Sequence, residues 1–211
     1  MAIRRTTSGL AIAITLTTSA CTAAPPSGSE PASSIAASSE STVAPSPSVT
    51  QVDLEAVVIS PEAPPAGMTA DGGRDGQVLG RLPLSPTRAA ELQAQPGFIN
   101  GRYATFSGSA GFLLSWAAQY ASDQDAAGAV SIILDELQSE DGYGWGMGEP
   151  AGLGDEGTCL EGDNPREGGL HETICVWRNG SLVLVVGGDS TETPMQSLAE
   201  ETDARAGAVL P

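Results

Sequence analysis

The chain has 211 residues, 26 of them acidic against 9 basic, for a formal charge of −17, and every basic residue is arginine. A field of that sign repels phosphate backbones and anionic lipid head groups, which excludes nucleic acid as a partner and favours cationic partners or divalent ions. Keeping the chain soluble is the plainest use of such a charge.

The N-terminus carries a charged start, a short apolar run and small residues before a cysteine: Arg4-Arg5, Leu10-Ala11-Ile12-Ala13-Ile14, then Thr18-Ser19-Ala20-Cys21. An apolar run of about 7–15 residues marks an export signal, whereas a membrane span needs about 20. The arrangement resembles the lipobox of bacterial lipoproteins, with Thr18 where leucine is most frequent in that family. The resemblance implies cleavage after residue 20, a diacylglyceryl group on Cys21, and a cell-membrane location on the extracytoplasmic face. Each buried methylene contributes about 0.8 kcal/mol, and two or more acyl chains hold a protein stably. The alternative is an ordinary secretory peptide cut near Ala20, leaving an exposed free thiol. Arg4-Arg5 leaves the general secretory and twin-arginine export routes open. Without residues 1–20, 7 arginines face 26 acids, a charge of −19.

Residues 21–51 are the cysteine and a Ser/Ala/Pro/Thr-rich linker with almost nothing to bury, so this stretch is expected to be disordered. Some thirty residues of flexible chain reach roughly 30 Å. The remaining residues, 52–211, form one domain of ordinary size. Val52–Ile59 reads as a strand or short helix stopped by Pro61, Pro64 and Pro65. Residues 66–96 are Gly-, Pro- and Asp-rich, with a short helix at Thr87–Gln93. Ile99–Phe106 and Gly111–Tyr120 flank a turn-like Ser107-Gly108-Ser109-Ala110 and suggest a hairpin.

Ser122 and Asp125 are spaced as a capping box, and Ala126, Val130, Ile133, Leu134 and Leu137 follow on one helical face opposite Asp125, Asp135, Glu136 and Gln138. Residues 139–169 read as a long irregular segment crossed by a short strand at Thr158–Leu160. Thr173–Arg178 and Ser181–Val186 form the strongest hairpin, because both residues of Asn179-Gly180 tolerate positive φ. Leu182–Val186 is apolar on both faces and belongs in the middle of a sheet. Thr193 as N-cap and Pro194 at the first helical position start a closing helix that buries Met195, Leu198, Thr202 and Ala206. The expected fold is α+β, an antiparallel sheet with two helices packed on one face.

With Cys21 assigned to lipid, Cys159 and Cys175 remain as an even pair in an oxidising compartment, and a disulfide between them is expected. Closing that loop of about 17 residues contributes about 3 kcal/mol in the chain-entropy model. A zinc site would need two more ligands, of which His171, the one histidine, supplies at most one.

Three segments carry a further resemblance: Gly154-Asp155-Glu156-Gly157, Val176-Trp177-Arg178-Asn179-Gly180-Ser181, and Leu198–Arg205 with its Asp203-Ala204-Arg205. Together they resemble a loose group of bacterial secreted lipoproteins of unknown role, which share a "GDEA" turn, a "V-F-R-x-G-N" hairpin and a closing helix ending in "D-A-R". The likeness covers about residues 97–206. It implies a shared fold and anchorage and no activity. Trp177 and Ser181 stand where the group has phenylalanine and asparagine, and the cysteine pair is outside its pattern.

No catalytic arrangement is legible, and the chain is read as a non-enzyme without cofactor or metal. A serine triad has only His171 for its base, and Gly108-Ser109-Ala110-Gly111 has Ser107 where a nucleophile elbow needs glycine. Neighbouring acids (Glu140-Asp141, Asp155-Glu156, Glu200-Glu201) point to different sides and do not suit glycoside hydrolysis. Glu149, Asp155, Glu156, Glu161, Asp163, Asn164 and Glu167 offer oxygen ligands for calcium, but neither they nor Asp71–Gly76 alternate as a D-x-D-x-D-G loop. Tyr143 and Trp145, set between glycines, are candidate ligand contacts for a peptide or glycan, while the reading favoured is a loop whose Trp145 tucks into the sheet as a buried plug. The expected role is a non-catalytic binding or accessory module displayed from a membrane to an extracytoplasmic protein, peptide or glycan. A small-ligand sensor or carrier, with a cavity between helices and sheet and residues 139–169 as its lid, is the alternative.

Overall fold

The computed structural model describes residues 50–75, 82, 84–139, 142–165, 168–189 and 194–211. The expected signal segment, Cys21 and residues 22–49 of the expected linker lie outside the described residues, as do Glu140-Asp141, Glu167 and Thr193.

Seven strands form one antiparallel sheet: β1 (Met68–Asp75), β2 (Phe98–Gly108), β3 (Gly111–Tyr120), β4 (Glu149–Pro150), β5 (Glu156–Asn164), β6 (Leu170–Asn179) and β7 (Leu182–Gly188). Three helices accompany them: α1 (Pro86–Ala94), α2 (Asp123–Gln138) and α3 (Met195–Val209). Across the sheet the order is β1-β2-β3-β7-β6-β5-β4. Strand β7, apolar on both sides in the sequence, takes the central place, with all seven of its residues buried. Its two-sided apolarity also overturns the expectation of two helices on one face. Leu182, Leu184 and Val186 pack with Leu198, Ala199 and Ala206 of α3, whereas Val183 and Val185 pack with Ala126, Val130 and Ile133 of α2. Side chains alternate along a strand, so a central strand apolar at every position needs cover on both faces.

The α2 start is as the sequence implies: the Ser122 hydroxyl accepts from Asp125 N–H at 3.1 Å and bonds the Asp125 carboxylate at 2.7 Å. The α3 start differs, with Pro194 as N-cap and Met195 the first helical residue. Glu136, expected on the polar face of α2, is buried instead. Its carboxylate accepts from Ser85 N–H at 2.8 Å and Ser85 Oγ at 3.1 Å, at the positive end of α1. Beside it, Arg88 donates to Glu91 at 2.6 Å, a bond that holds the guanidinium above its ordinary pKa.

Residues 52–59 form neither strand nor helix but a turn-containing strap on the α3 face, burying Val52, Leu54, Val57, Val58 and Ile59. A buried irregular backbone needs partners for its polar groups. Strand β3 supplies them from two polar side chains in its apolar run. Gln119 accepts from Val52 N–H at 2.8 Å and donates to the Thr50 carbonyl at 2.7 Å, and Ser115 Oγ accepts from Ile59 N–H at 3.1 Å. From α3, Arg205 Nε donates to the Val57 carbonyl at 2.9 Å.

Candidate functional site

The three motif segments converge in space. Asp203, on α3, accepts from the Trp177 indole N–H at 2.9 Å and the Asn179 amide at 3.1 Å through Oδ1, and from Gly154 N–H at 3.2 Å through Oδ2. Asp155 grips the β6–β7 turn: its Oδ2 accepts from Arg178 at 3.0 Å and from Gly180 N–H at 2.8 Å, while its own N–H donates to the Arg178 carbonyl at 2.8 Å. Gly154 has φ +50° and would place a Cβ 2.1 Å from that carbonyl, so glycine is required on both conformational and steric grounds. Two carboxylates thus tie a loop, a hairpin turn and the closing helix into one junction. Five hydrogen bonds accepted by the two carboxylates serve the fold. Trp177 supplies the indole donor that reaches Asp203.

Cys159 and Cys175 are directly opposed on β5 and β6 and form the disulfide, with a Cα–Cα distance of 4.0 Å. Cys175 is wholly buried and Cys159 half-buried against the α3 face. Strand β5 runs from Glu156 to Asn164, well beyond the Thr158–Leu160 read from the sequence, and with β4 it gives the segment expected to be irregular two strands.

Tyr143 and Trp145 turn inward. Only 8% and 5% exposed, their rings meet edge-to-face at 5.3 Å, and Trp145 Nε1 donates to the Asp163 carbonyl at 3.1 Å. Gly162 makes room, because a Cβ there would lie 2.5 Å from the indole. The two rings thus form the plug, closing the α2-face core beside β5, and not an exposed aromatic contact site. The side chain these glycines do expose is Met147, at 90%.

The acids of the candidate calcium loop are dispersed. Asp155 is engaged at the hairpin, Asn164 bonds Glu172 at 2.9 Å, and the alternation of β5 sends Glu156 and Asn164 to one face and Glu161 and Asp163 to the other. Among the described residues no group of three His, Cys, Asp or Glu side chains is placed to hold a metal ion. His171 lies opposite Asp163, its Nδ1 3.2 Å from Oδ1, with both side chains exposed. Glu201, from another of the paired acids, is bound to Arg205 at 2.8 Å.

Between α2 and the sheet, where a carrier would need its cavity, Trp116, Tyr120, Ile133, Leu137, Val183 and Val185 are wholly buried and in contact within one core. Burial there pushes the Tyr120 hydroxyl well above its ordinary pKa. Cavities instead open at the sheet margins. One of about 510 Å³ lies between Gln51–Glu55 of the strap and Asn100–Arg102 of β2, where Arg102 reaches Glu55 at 3.3 Å. No helix of the described residues is long and apolar enough to cross a membrane. No family model matches the chain, and no curated protein matches it.

Sequence reading missed the junction residues Asp155 and Asp203 as partners, although both stand in the quoted motifs. Gln119 and Ser115 also went unassigned. Their signal was present: two polar residues four apart in Leu113–Tyr120 lie on one face of an otherwise apolar strand.

Proposed function

We propose that the chain is a non-catalytic binding or accessory lipoprotein, anchored through Cys21 and displaying its α+β domain on the extracytoplasmic side of a membrane. The observation that carries this reading is the Cys159–Cys175 bridge across neighbouring strands, one sulfur of which is wholly buried. Structural disulfides form and persist where the surroundings are oxidising, outside the reducing cytosol. The charge layout of Arg4–Cys21 and the acidity of the rest agree with export and with a surface that stands clear of anionic lipid. The motif carboxylates support the non-catalytic part, since they serve the junction of β6–β7 with α3.

Fractionation of the native host tests the anchor. The parent protein is expected in the membrane fraction, released by detergent but not by salt, and Cys21→Ser is expected in the soluble extracytoplasmic fraction. A Cys21→Ser protein that stays with the membrane, or a parent protein in the cytosol, overturns the reading.

A further inference from the structure

We infer that a groove beside the disulfide is a docking site for an arginine- or lysine-bearing segment of a partner protein; this rests on the binding-module reading above but not on the lipid anchor. The groove, about 450 Å³, lies on the α3 face of β5 and β6. Met147 forms its lip, Glu149 and Glu161 its sides, and Cys159 and Thr173 line it below Gln196 of α3.

Strand register sets the chemistry. Glu149 is directly opposite Cys159, and Glu161 is opposite Thr173, so these four side chains share one face. The two glutamates are diagonal neighbours, which places their Cβ atoms about 7–8 Å apart. Two long side chains at that spacing leave room for a guanidinium or ammonium group between their carboxylates. Both glutamates are exposed, and among the described residues neither side chain has a hydrogen bond or ion pair. Among the arginines whose side chains the structure describes, Arg88 is engaged with Glu91, Arg102 with Glu55, Arg178 with Asp155 and Arg205 with Glu201.

The apolar element decides for a side chain on a polypeptide over a bare cation. Met147 is 90% exposed in a Gly146-Met147-Gly148 run, the most exposed large apolar residue described. Arginine and lysine bring an alkyl stem with their charge, and the unbranched, polarizable thioether adapts to such stems and to the residues flanking them. In a chain of −17 charge, the partner's basic character also speeds encounter.

The test is a fluorescence-anisotropy titration of the intact purified chain with a short labelled peptide alternating arginine and valine, and with its citrulline counterpart. Binding of the arginine peptide alone is expected. Glu149→Gln and Glu161→Gln should each weaken it about fivefold, the upper range for an exposed ion pair. Met147→Ser should weaken it at low and high salt alike, and Glu62→Gln, an equal charge loss on the exposed loop before β1, should leave it within about 1.5-fold. All four residues are exposed, and unchanged melting curves confirm folding. Equal weakening by Glu62→Gln and the groove variants would overturn the inference, as would equal binding of the citrulline peptide or displacement by micromolar CaCl₂. A Glu149→Gln/Glu161→Gln/Met147→Ser chain that still captures the same envelope partner as the parent would overturn the groove while leaving the binding-module reading standing.

Discussion

Replacing Asp203 by alanine removes the acceptor on which a loop, a hairpin and a helix converge. Its three bonds are not equal. Gly154 N–H and the Asn179 amide lie near solvent and rehydrate when the carboxylate goes, so their loss costs little. The Trp177 indole is wholly buried, and its N–H, now 2.9 Å from Oδ1, would be left without a partner. A hydrogen bond to a charged group is worth about 1.5–3 kcal/mol, and an orphaned buried donor costs about 1–3 kcal/mol, largely the same free energy counted from its two ends. With a modest share from Asn179 and Gly154, Asp203→Ala is expected to cost about 3 kcal/mol, which lowers Tm by about 6–12 °C in a domain of this size. Urea unfolding should show the midpoint falling with the slope unchanged. Asp203→Asn keeps the Oδ1 acceptor and should lose about half as much. In a double-mutant cycle with Trp177→Phe, a coupling of about 1–2 kcal/mol is expected. An Asp203→Ala protein melting within about 2 °C of the parent would refute the junction.

Gln119→Leu deprives Val52 N–H of its acceptor; a loss of about 1–3 kcal/mol is expected, with faster amide exchange confined first to residues 50–59. Gly162→Ala drives a methyl into the Trp145 ring, so the plug should lift, with a red-shifted tryptophan emission and a cost of about 1–3 kcal/mol. Tyr120→Phe removes a buried hydroxyl that has no hydrogen-bond partner among the described residues and should leave stability equal or raise it by about 1 kcal/mol. The same residue gives a pH signature. Burial raises its pKa above the ordinary value near 10, so the unfolded chain ionises first and stability falls as pH rises past about 10. Urea midpoints near neutrality and near pH 10.5 should converge more in Tyr120→Phe than in the parent, the difference isolating this one hydroxyl.

What was legible in the sequence was whatever local chemistry specifies. Asn179-Gly180 marked the β6–β7 hairpin, although Asn179 pairs with Leu182 and the two turn residues are Gly180 and Ser181, one position later than expected; Ser122 with Asp125 marked the start of α2, and the unbroken apolarity of Leu182–Val186 placed β7 centrally. Strands β1 and β5 were obscure because their residues have little strand preference. Met68–Asp75 is rich in glycine and aspartate and pairs with β2 through a register shift between Ala70 and Gly72. Glu156–Asn164 is held by pairing along the whole of β6 and by the disulfide. The strap was misread for a related reason: its apolar residues matched either period, and the side chains of Gln119 and Ser115 that satisfy its backbone lie 67 and 56 residues away in the chain. At the candidate site, the glycines flanking Tyr143 and Trp145 allowed either a surface contact or an inward plug. Only the partner glycine on β5, Gly162, reveals that Trp145 packs inward.

Intact mass spectrometry of the protein purified from its native membrane reads the anchor and the compartment together. We expect a chain that begins at Cys21, carries the added mass of a diacylglyceryl group with or without an amide-linked acyl chain, and shows Cys159 and Cys175 oxidised, with no free thiol after alkylation. A species with its N-terminal segment intact, an unmodified Cys21 thiol, or two reduced cysteines in the domain would contradict the proposal that this acidic module works tethered outside the cytosol.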